Sequence, residues 1–60
     1  MTLGQKIKTK RKELNLTQSE FGEKIGVTIQ QVWNYETGKQ TPTYKRLQKI
    51  NKVLNLDLNL

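Results

Sequence analysis

The chain has 60 residues, no cysteine and no histidine, and 11 Lys and Arg residues against five Asp and Glu give a formal net charge of +6. This length allows one domain, residues 1–60, with a modest core, and the missing cysteine excludes disulfides and thiolate metal sites. Without histidine, and with only five scattered carboxylates, we expect neither an enzyme nor a metal or cofactor site. The positive charge favours a polyanionic partner, which is either nucleic acid or an anionic membrane.

No apolar run is long enough for a signal peptide or a membrane span, so we expect a cytoplasmic protein. The apolar stripes described below are also narrow, which disfavours a helix lying on a membrane surface. No pocket for a small-molecule substrate is indicated.

The first predicted helix begins with a capping box, Thr2-Leu3-Gly4-Gln5, in which the Thr hydroxyl and the Gln amide satisfy free backbone N–H groups. It runs from about Leu3 to Leu14. One stripe along this helix is apolar except for two cations. It consists of Leu3, Ile7, Lys10, Arg11 and Leu14. The other cations of this helix are spread around it and form a solubilising surface.

Two short helices follow, and together they indicate a helix-turn-helix at about residues 18–37. A second capping box at residues 17–20 opens a helix that directs Phe21 and Ile25 inward and ends before Gly26. A third box at residues 28–31 opens a helix that reaches about Glu36, with Gly38 as its terminator. Two helices joined by a short Gly-containing turn form the geometry that places a helix in the DNA major groove.

A fourth helix is predicted after Thr41-Pro42-Thr43, because proline disfavours a helical residue before it and Thr43 can act as the cap. Asn55 is expected to end this helix in a left-handed conformation. In the tail, Leu56 and Leu58 are expected to pack onto the first and fourth helices. The residues predicted to face the core from the fourth helix are Tyr44, Leu47, Ile50, Val53 and Leu54.

The third predicted helix has an inner and an outer face. At about 100° per residue, Val32, Tyr35 and Glu36 fall on the inner side, and Gln30 and Asn34 fall opposite them. Gln31 and Trp33 lie on the flanks. Glutamine and asparagine amides offer the acceptor and donors that adenine N6 and N7 require. The alternative is that these amides form only a solvated helix face.

In its ordered motifs the chain resembles the helix-turn-helix domain of lambdoid phage repressors and Cro proteins, the xenobiotic-response-element (Cro/C1-type) family. The resemblance implies an all-α, compact bundle of four or five helices that binds operator DNA as a symmetric dimer. Phe21, Gly22 and Trp33 depart from the residues usual in that family. The residues that carry the resemblance are Arg11, Leu16-Thr17-Gln18, Gly26-Val27-Thr28, Val32, Glu36, Gly38-Lys39, Pro42, Leu47, Ile50, Leu54 and Leu56.

The resemblance also implies roles for individual residues. The positions matching base contacts are Ile29, which we assign to a thymine methyl, Gln30 and Asn34. Trp33 either lies exposed beside the groove as a further base or sugar contact, or folds over Thr37 or the second helix. An inward ion pair between Arg11 and Glu36 is implied. Gln18 matches a position that contacts the DNA backbone in that family. Further phosphate contacts are expected, apart from the resemblance, from Gln31, Lys39, Lys45 and Arg46; for any single lysine the alternative is a solvated surface charge.

The favoured function is therefore a transcriptional regulator, of the repressor type, that reads a half-site of a palindromic operator in double-stranded DNA. Its homodimer would form through the fourth helix or the C-terminal leucines, or only on DNA. The alternative is an antitoxin or adaptor whose main partner is another protein, for which Ile29 with Trp33 is the one candidate apolar patch.

Overall fold

The computed structural model describes residues 1–60 and contains four helices and no strand: α1 (Leu3–Glu13), α2 (Gln18–Ile25), α3 (Ile29–Thr37) and α4 (Tyr44–Leu54). The predicted all-α bundle is confirmed, with four helices. α1 ends one residue earlier than predicted, because Leu14 is its C-cap, and α3 continues one residue beyond Glu36.

Each helix begins directly after a threonine whose hydroxyl accepts a hydrogen bond from the backbone N–H three residues later. These caps are Thr2, Thr17, Thr28 and Thr43. In the first three helices a Gln or Glu side chain returns the bond to the cap's own N–H, so all three predicted capping boxes are confirmed. A threonine cap typically contributes about 1 kcal/mol, so these caps define where the helices start.

The helix ends depend on left-handed residues. Gly26 and Gly38 have φ of 78° and 81°, and Asn55 has φ of 55°, as the sequence predicted. Asn15, at φ 59°, ends α1 in the same way, and its left-handed conformation allows the Leu16 N–H to donate to the Arg11 carbonyl at 3.1 Å. Asparagine tolerates this conformation better than most side chains.

The core lies where α3 and α4 each pack against both α1 and α2. Five apolar side chains pack around it and are partly buried: Leu3, Leu16, Val27, Val53 and Leu56. Burying one such large apolar side chain fully contributes about 1.5–3 kcal/mol. The seven buried hydrophobic residues are Ile7, Phe21, Ile25, Val32, Tyr35, Ile50 and Leu54.

Two residues predicted to be buried are exposed instead. Tyr44 is 61% exposed, because it is the first residue of α4 and helical side chains tilt toward the N-terminus, which carries its ring beyond the core. Pro42 is buried just before it. Leu14 is exposed because it lies at the C-cap of α1, where the chain has already left the helical path.

Two glycines allow the helices to approach closely. A Cβ on Gly22 would lie 2.8 Å from the Val27 carbonyl oxygen, in agreement with the close approach expected at the helix-turn-helix corner. A Cβ on Gly4 would lie 2.6 Å from the carbonyl oxygens of both Tyr35 and Glu36. The first turn of α1 therefore rests directly on the backbone at the end of α3.

The C-terminal tail is fastened to α4 by Asn51. The Leu58 N–H donates to Asn51 Oδ1 at 3.0 Å, and Asn51 Nδ2 donates to the Leu58 carbonyl at 3.3 Å. Leu56 packs against the core cluster, and Leu58 is half-buried. The predicted return of the tail to the helices is confirmed for Leu56.

Candidate nucleic-acid interface

The outer face of α3 is open to solvent, whereas its inner face forms part of the core. Ile29 is 55% and Trp33 45% exposed, Gln30 is exposed and Asn34 is half-buried. The three residues assigned to the inner side, Val32, Tyr35 and Glu36, are all buried. The predicted division of this helix is confirmed, and Trp33 is partly exposed, which agrees with the first of its two alternatives.

The amides on this face are bonded to one another in a row that extends beyond the helix. Gln30 Nε2 donates to Asn34 Oδ1 at 3.1 Å, and Asn34 Nδ2 donates to Gln40 Oε1 at 3.5 Å. We call Gln30, Asn34 and Gln40 the amide row. Nothing in the helical periodicity indicated Gln40, because it follows the end of α3; only its amide chemistry marked it as a suitable partner.

Gln31 is partly committed to its helix. Its Oε1 accepts the Thr28 backbone N–H at 2.9 Å as part of the third capping box, and the residue is half-buried. The amide nitrogen has no partner in the protein, so a contact from Gln31 to phosphate would use this donor alone.

Beneath the outer face, a buried ion pair ties α3 to α1. Arg11 Nε donates to Glu36 Oε2 at 2.6 Å, and Arg11 Nη2 donates to Oε1 at 3.1 Å, with the two residues only 6% and 7% exposed. The remaining guanidinium nitrogen, Nη1, donates to the Leu16 carbonyl at 2.8 Å. No buried side-chain nitrogen or oxygen in residues 1–60 lacks a hydrogen-bond partner.

Gln18 joins this ion pair to the surface. Its Nε2 donates to Glu36 Oε1 at 3.1 Å, which uses one of the two N–H groups of the amide. The second N–H remains available at the start of α2, where free backbone N–H groups and the helix dipole favour an anion. Gln18 also lines a shallow open cleft together with Ile29, Gln30 and Trp33, so four of the predicted contact residues lie together.

The predicted basic contacts differ in whether their side chains already interact with other groups of the protein. Lys39 Nζ lies 6.0 Å from the centroid of the Trp33 ring, within the range of a cation–π interaction. Lys45 is exposed on the first turn of α4. Arg46 is half-buried and its Nη1 donates to the Ile25 carbonyl at the end of α2. Arg46 therefore links α4 to the helix-turn-helix corner, a bond the sequence did not indicate.

Positive charge is concentrated in the part of the chain that contains α3. Residues 24–56 carry six Lys and Arg residues and a single acidic residue, Glu36, which leaves a net charge of +5. Because Glu36 is buried against Arg11, no exposed carboxylate lies in this part of the chain. The outer face of α3 therefore carries no charged side chain, and the Lys39 ammonium lies beside its Trp33 ring.

The first turn of α2 holds one carboxylate whose titration is shifted. The backbone N–H of Thr17 donates to Glu20 Oε1 at 2.8 Å, and this bond, with that to the Thr17 hydroxyl, holds the pKa of Glu20 below its ordinary value of 4.5. Glu20 is therefore ionised at neutral pH beside the anion-favouring start of the helix.

Residues 1–60 contain no group of three or more His, Cys, Asp or Glu residues placed to hold a metal ion. None of the four helices combines the length and apolar character needed to span a bilayer.

Comparison with known proteins gives matches over most of the chain. A family model described as "Helix-turn-helix" matches residues 7–60. An uncharacterized HTH-type transcriptional regulator of Sinorhizobium fredii is 44% identical over 92% of this chain and 38% of its own length. The ImmF control region 10 kDa protein of Bacillus phage phi105 is 40% identical over 97% of this chain and 64% of its own.

A third relative is the cryptic phage CTXphi transcriptional repressor RstR of Vibrio cholerae, 29% identical over 98% of this chain and 53% of its own length. The chain therefore spans between 38% and 64% of the length of these three relatives. No solved structure shows a significant match.

Proposed function

Because the chain belongs to the helix-turn-helix family, we propose that it is a DNA-binding transcriptional regulator of the repressor type, reading bases in the major groove with α3. The observation that carries this proposal is the outer face of α3, where the exposed Gln30 and the half-buried Asn34 present uncharged amides and Lys39 lies beside Trp33. Two of the similar proteins are named as a transcriptional regulator and a transcriptional repressor, which supports the same function.

In the proposed complex, base contacts come from α3 and phosphate contacts come from its surroundings. Gln30 pairs with an adenine edge, Ile29 meets a thymine methyl, and Asn34 reads a neighbouring base. Trp33 lies at the wall of the groove. The phosphate contacts come from the Gln18 amide with the start of α2, from the free donor of Gln31, and from Lys39, Lys45 and Arg46.

The buried ion pair has a positioning role in this proposal. A buried pair adds little net stability compared with an apolar replacement, because both charges are desolvated. Arg11 and Glu36 instead fix the angle of α3 against α1, and Glu36 also orients Gln18. The ion pair that holds α3 in place therefore also positions the Gln18 amide of α2, which is one of the proposed phosphate contacts.

We further propose that the regulator acts in the cytoplasm as a homodimer on a palindromic operator and acts by binding alone, without a catalytic step. Two copies related by a twofold axis would present two α3 helices to half-sites one helical turn apart. The chain contains neither histidine nor cysteine, which supports a binding role over a catalytic one.

The test is selection from a pool of random duplexes at low salt. We expect enrichment of a palindromic motif, with adenine favoured at one position of each half-site. The double variant Gln30→Ala/Asn34→Ala should bind with lower selectivity. The matched control is Gln48→Ala/Asn59→Ala, which removes the same two amide types from exposed positions on α4 and the tail. Equal selectivity in both double variants would contradict the proposal.

Salt dependence tests the electrostatic part separately. With about three phosphates neutralised per subunit, and thus six per dimer, the logarithm of the binding constant should fall with the logarithm of salt concentration with a slope near −5. A flat dependence would show that the cations of residues 24–56 do not contact phosphate.

The alternative, an antitoxin or adaptor that binds a protein, is favoured by one observation: Ile29 and Trp33 are exposed apolar residues in the same cleft. The pool selection distinguishes the two functions, because a protein-binding module gives no enriched motif at low salt.

A further inference from the structure

Gln40 lies outside α3 but is attached to Asn34 at two points. Its backbone N–H donates to the Asn34 carbonyl at 3.1 Å, and its Oε1 faces the Asn34 amide nitrogen at 3.5 Å. The backbone bond holds Gln40 against the last turn of α3. Its side chain is then close enough to present an oxygen to the Asn34 amide.

An amide has a nitrogen end that donates and an oxygen end that accepts, so its neighbours determine which way it faces. The oxygen of Gln40 turns Asn34 Nδ2 toward itself and leaves Asn34 Oδ1 toward Gln30. Gln30 Nε2 donates to that oxygen at 3.1 Å. The two neighbours are complementary, so in the structure the three amides run with one polarity from Gln30 to Gln40.

We propose that Gln40 is a positioning residue for base recognition, setting the amide orientation of Asn34 and, through it, that of Gln30. This inference rests on the proposed function. Without the oxygen of Gln40, the Asn34 amide could present either end to Gln30, since the two ends are nearly the same size. Gln40 thus gives the amide row a single polarity.

The polarity determines which groups remain for DNA. Gln30 keeps its oxygen and one N–H, the pair that matches N6 and N7 of adenine. Asn34 uses one oxygen lone pair for Gln30 and one N–H for Gln40, and its remaining N–H suits an acceptor such as guanine O6 or thymine O4. The major-groove edge of cytosine presents the N4 donor, so cytosine is disfavoured at the position that Asn34 reads.

The first experiment compares two variants of Gln40 in the pool selection. The position read by Asn34 is identified as the one whose preference Asn34→Ala removes. Gln40→Met keeps the length of the side chain without the acceptor, and we expect it to reduce the preference at that position about fivefold, the equivalent of one hydrogen bond. Gln40→Glu keeps the acceptor, so the preference remains while its negative charge lowers affinity for all duplexes.

Gln48→Met is the matched control, because it makes the same change at an exposed position of α4, and it should leave every preference unchanged. A role that is only structural would lower affinity equally at all positions. An unchanged preference at the Asn34 position in Gln40→Met, or its loss in Gln40→Glu, would overturn the proposal.

The second experiment uses the free protein, so its result does not depend on DNA binding. In the wild type, NMR should show contacts between the Asn34 side-chain amide protons and the Gln40 side chain, with two well-separated amide proton shifts. In Gln40→Met the two shifts should move toward exposed-asparagine values. Unchanged shifts in Gln40→Met would overturn the positioning role even if the protein selects an operator. If the shifts move as expected but the wild type shows no base preference in the pool selection, the result would contradict the proposed function alone.

Discussion

Replacing Glu36 by glutamine tests the buried ion pair with almost no change in side-chain shape. Both carboxylate oxygens are in use: Oε2 accepts from Arg11 Nε, and Oε1 accepts from Arg11 Nη2 and Gln18 Nε2. Whichever way the new amide faces, its NH2 group meets an N–H donor, and the buried guanidinium loses its counter-charge.

The expected loss is large for a chain of this size. Removing one partner of a buried ion pair costs about 3–5 kcal/mol. A 60-residue domain has a total unfolding free energy of about 3–9 kcal/mol, at roughly 0.05–0.15 kcal/mol per residue. Urea unfolding followed by circular dichroism should therefore show a midpoint lowered by about 3–5 M, with m near 1 kcal/mol/M.

The matched control is Glu13→Gln, which makes the same chemical change in the exposed pair with Lys10, whose charged atoms are 3.5 Å apart. Such surface pairs contribute about 0–1 kcal/mol. The double variant Arg11→Met/Glu36→Leu should be more stable than Glu36→Gln, because no unpaired charge stays buried. If Glu36→Gln and Glu13→Gln unfold at the same urea concentration, the assigned role of the ion pair is wrong.

Three further predictions concern stability. Gly4→Ala should lower the melting temperature, although alanine is favoured over glycine inside a helix by about 1 kcal/mol, because the new Cβ would lie 2.6 Å from two α3 carbonyl oxygens; a higher melting temperature would contradict this. Glu20→Gln should be less stable than the wild type at neutral pH, and the difference should disappear in acid melts as the pH falls below 4.5 and through the lowered pKa, where Glu20 becomes protonated; a difference that is constant with pH would refute it. Asn51→Ala should increase hydrogen exchange at the Leu58 N–H, which loses its acceptor at 3.0 Å, with Asn59→Ala as the unaffected control; equal exchange in both variants would show that Asn51 does not hold the tail.

The sequence predicted the features that depend on neighbours a few residues apart. A threonine with Gln or Glu three positions later carries all the groups of a capping box, so three helix starts were identified directly. Gly26, Gly38 and Asn55 marked helix ends for a similar reason. Helical periodicity then separated the two faces of α3, because the side-chain period depends only on the local backbone.

The features that the sequence did not reveal depend on tertiary packing. The contact of Gly4 with the end of α3 requires the angle between two helices, which no local pattern gives. The bonds from Arg46 to the Ile25 carbonyl and from Gln40 to Asn34 join groups whose proximity appears only after folding. Tyr44 shows that a local pattern can also predict burial where packing gives none. It fits the apolar spacing of α4 but lies past the edge of the core.

The position of the single tryptophan gives the molecule an optical probe where one is most useful. Trp33 lies half exposed on the outer face of α3, with an ammonium group 6.0 Å from its ring centroid. Its fluorescence emission therefore reports the polarity and the quenchers at that face alone. Excitation at wavelengths longer than those that tyrosine absorbs avoids emission from Tyr35 and Tyr44. A titration with unlabelled duplex could follow occupancy of the helix directly, without attaching a dye to a chain that has no cysteine.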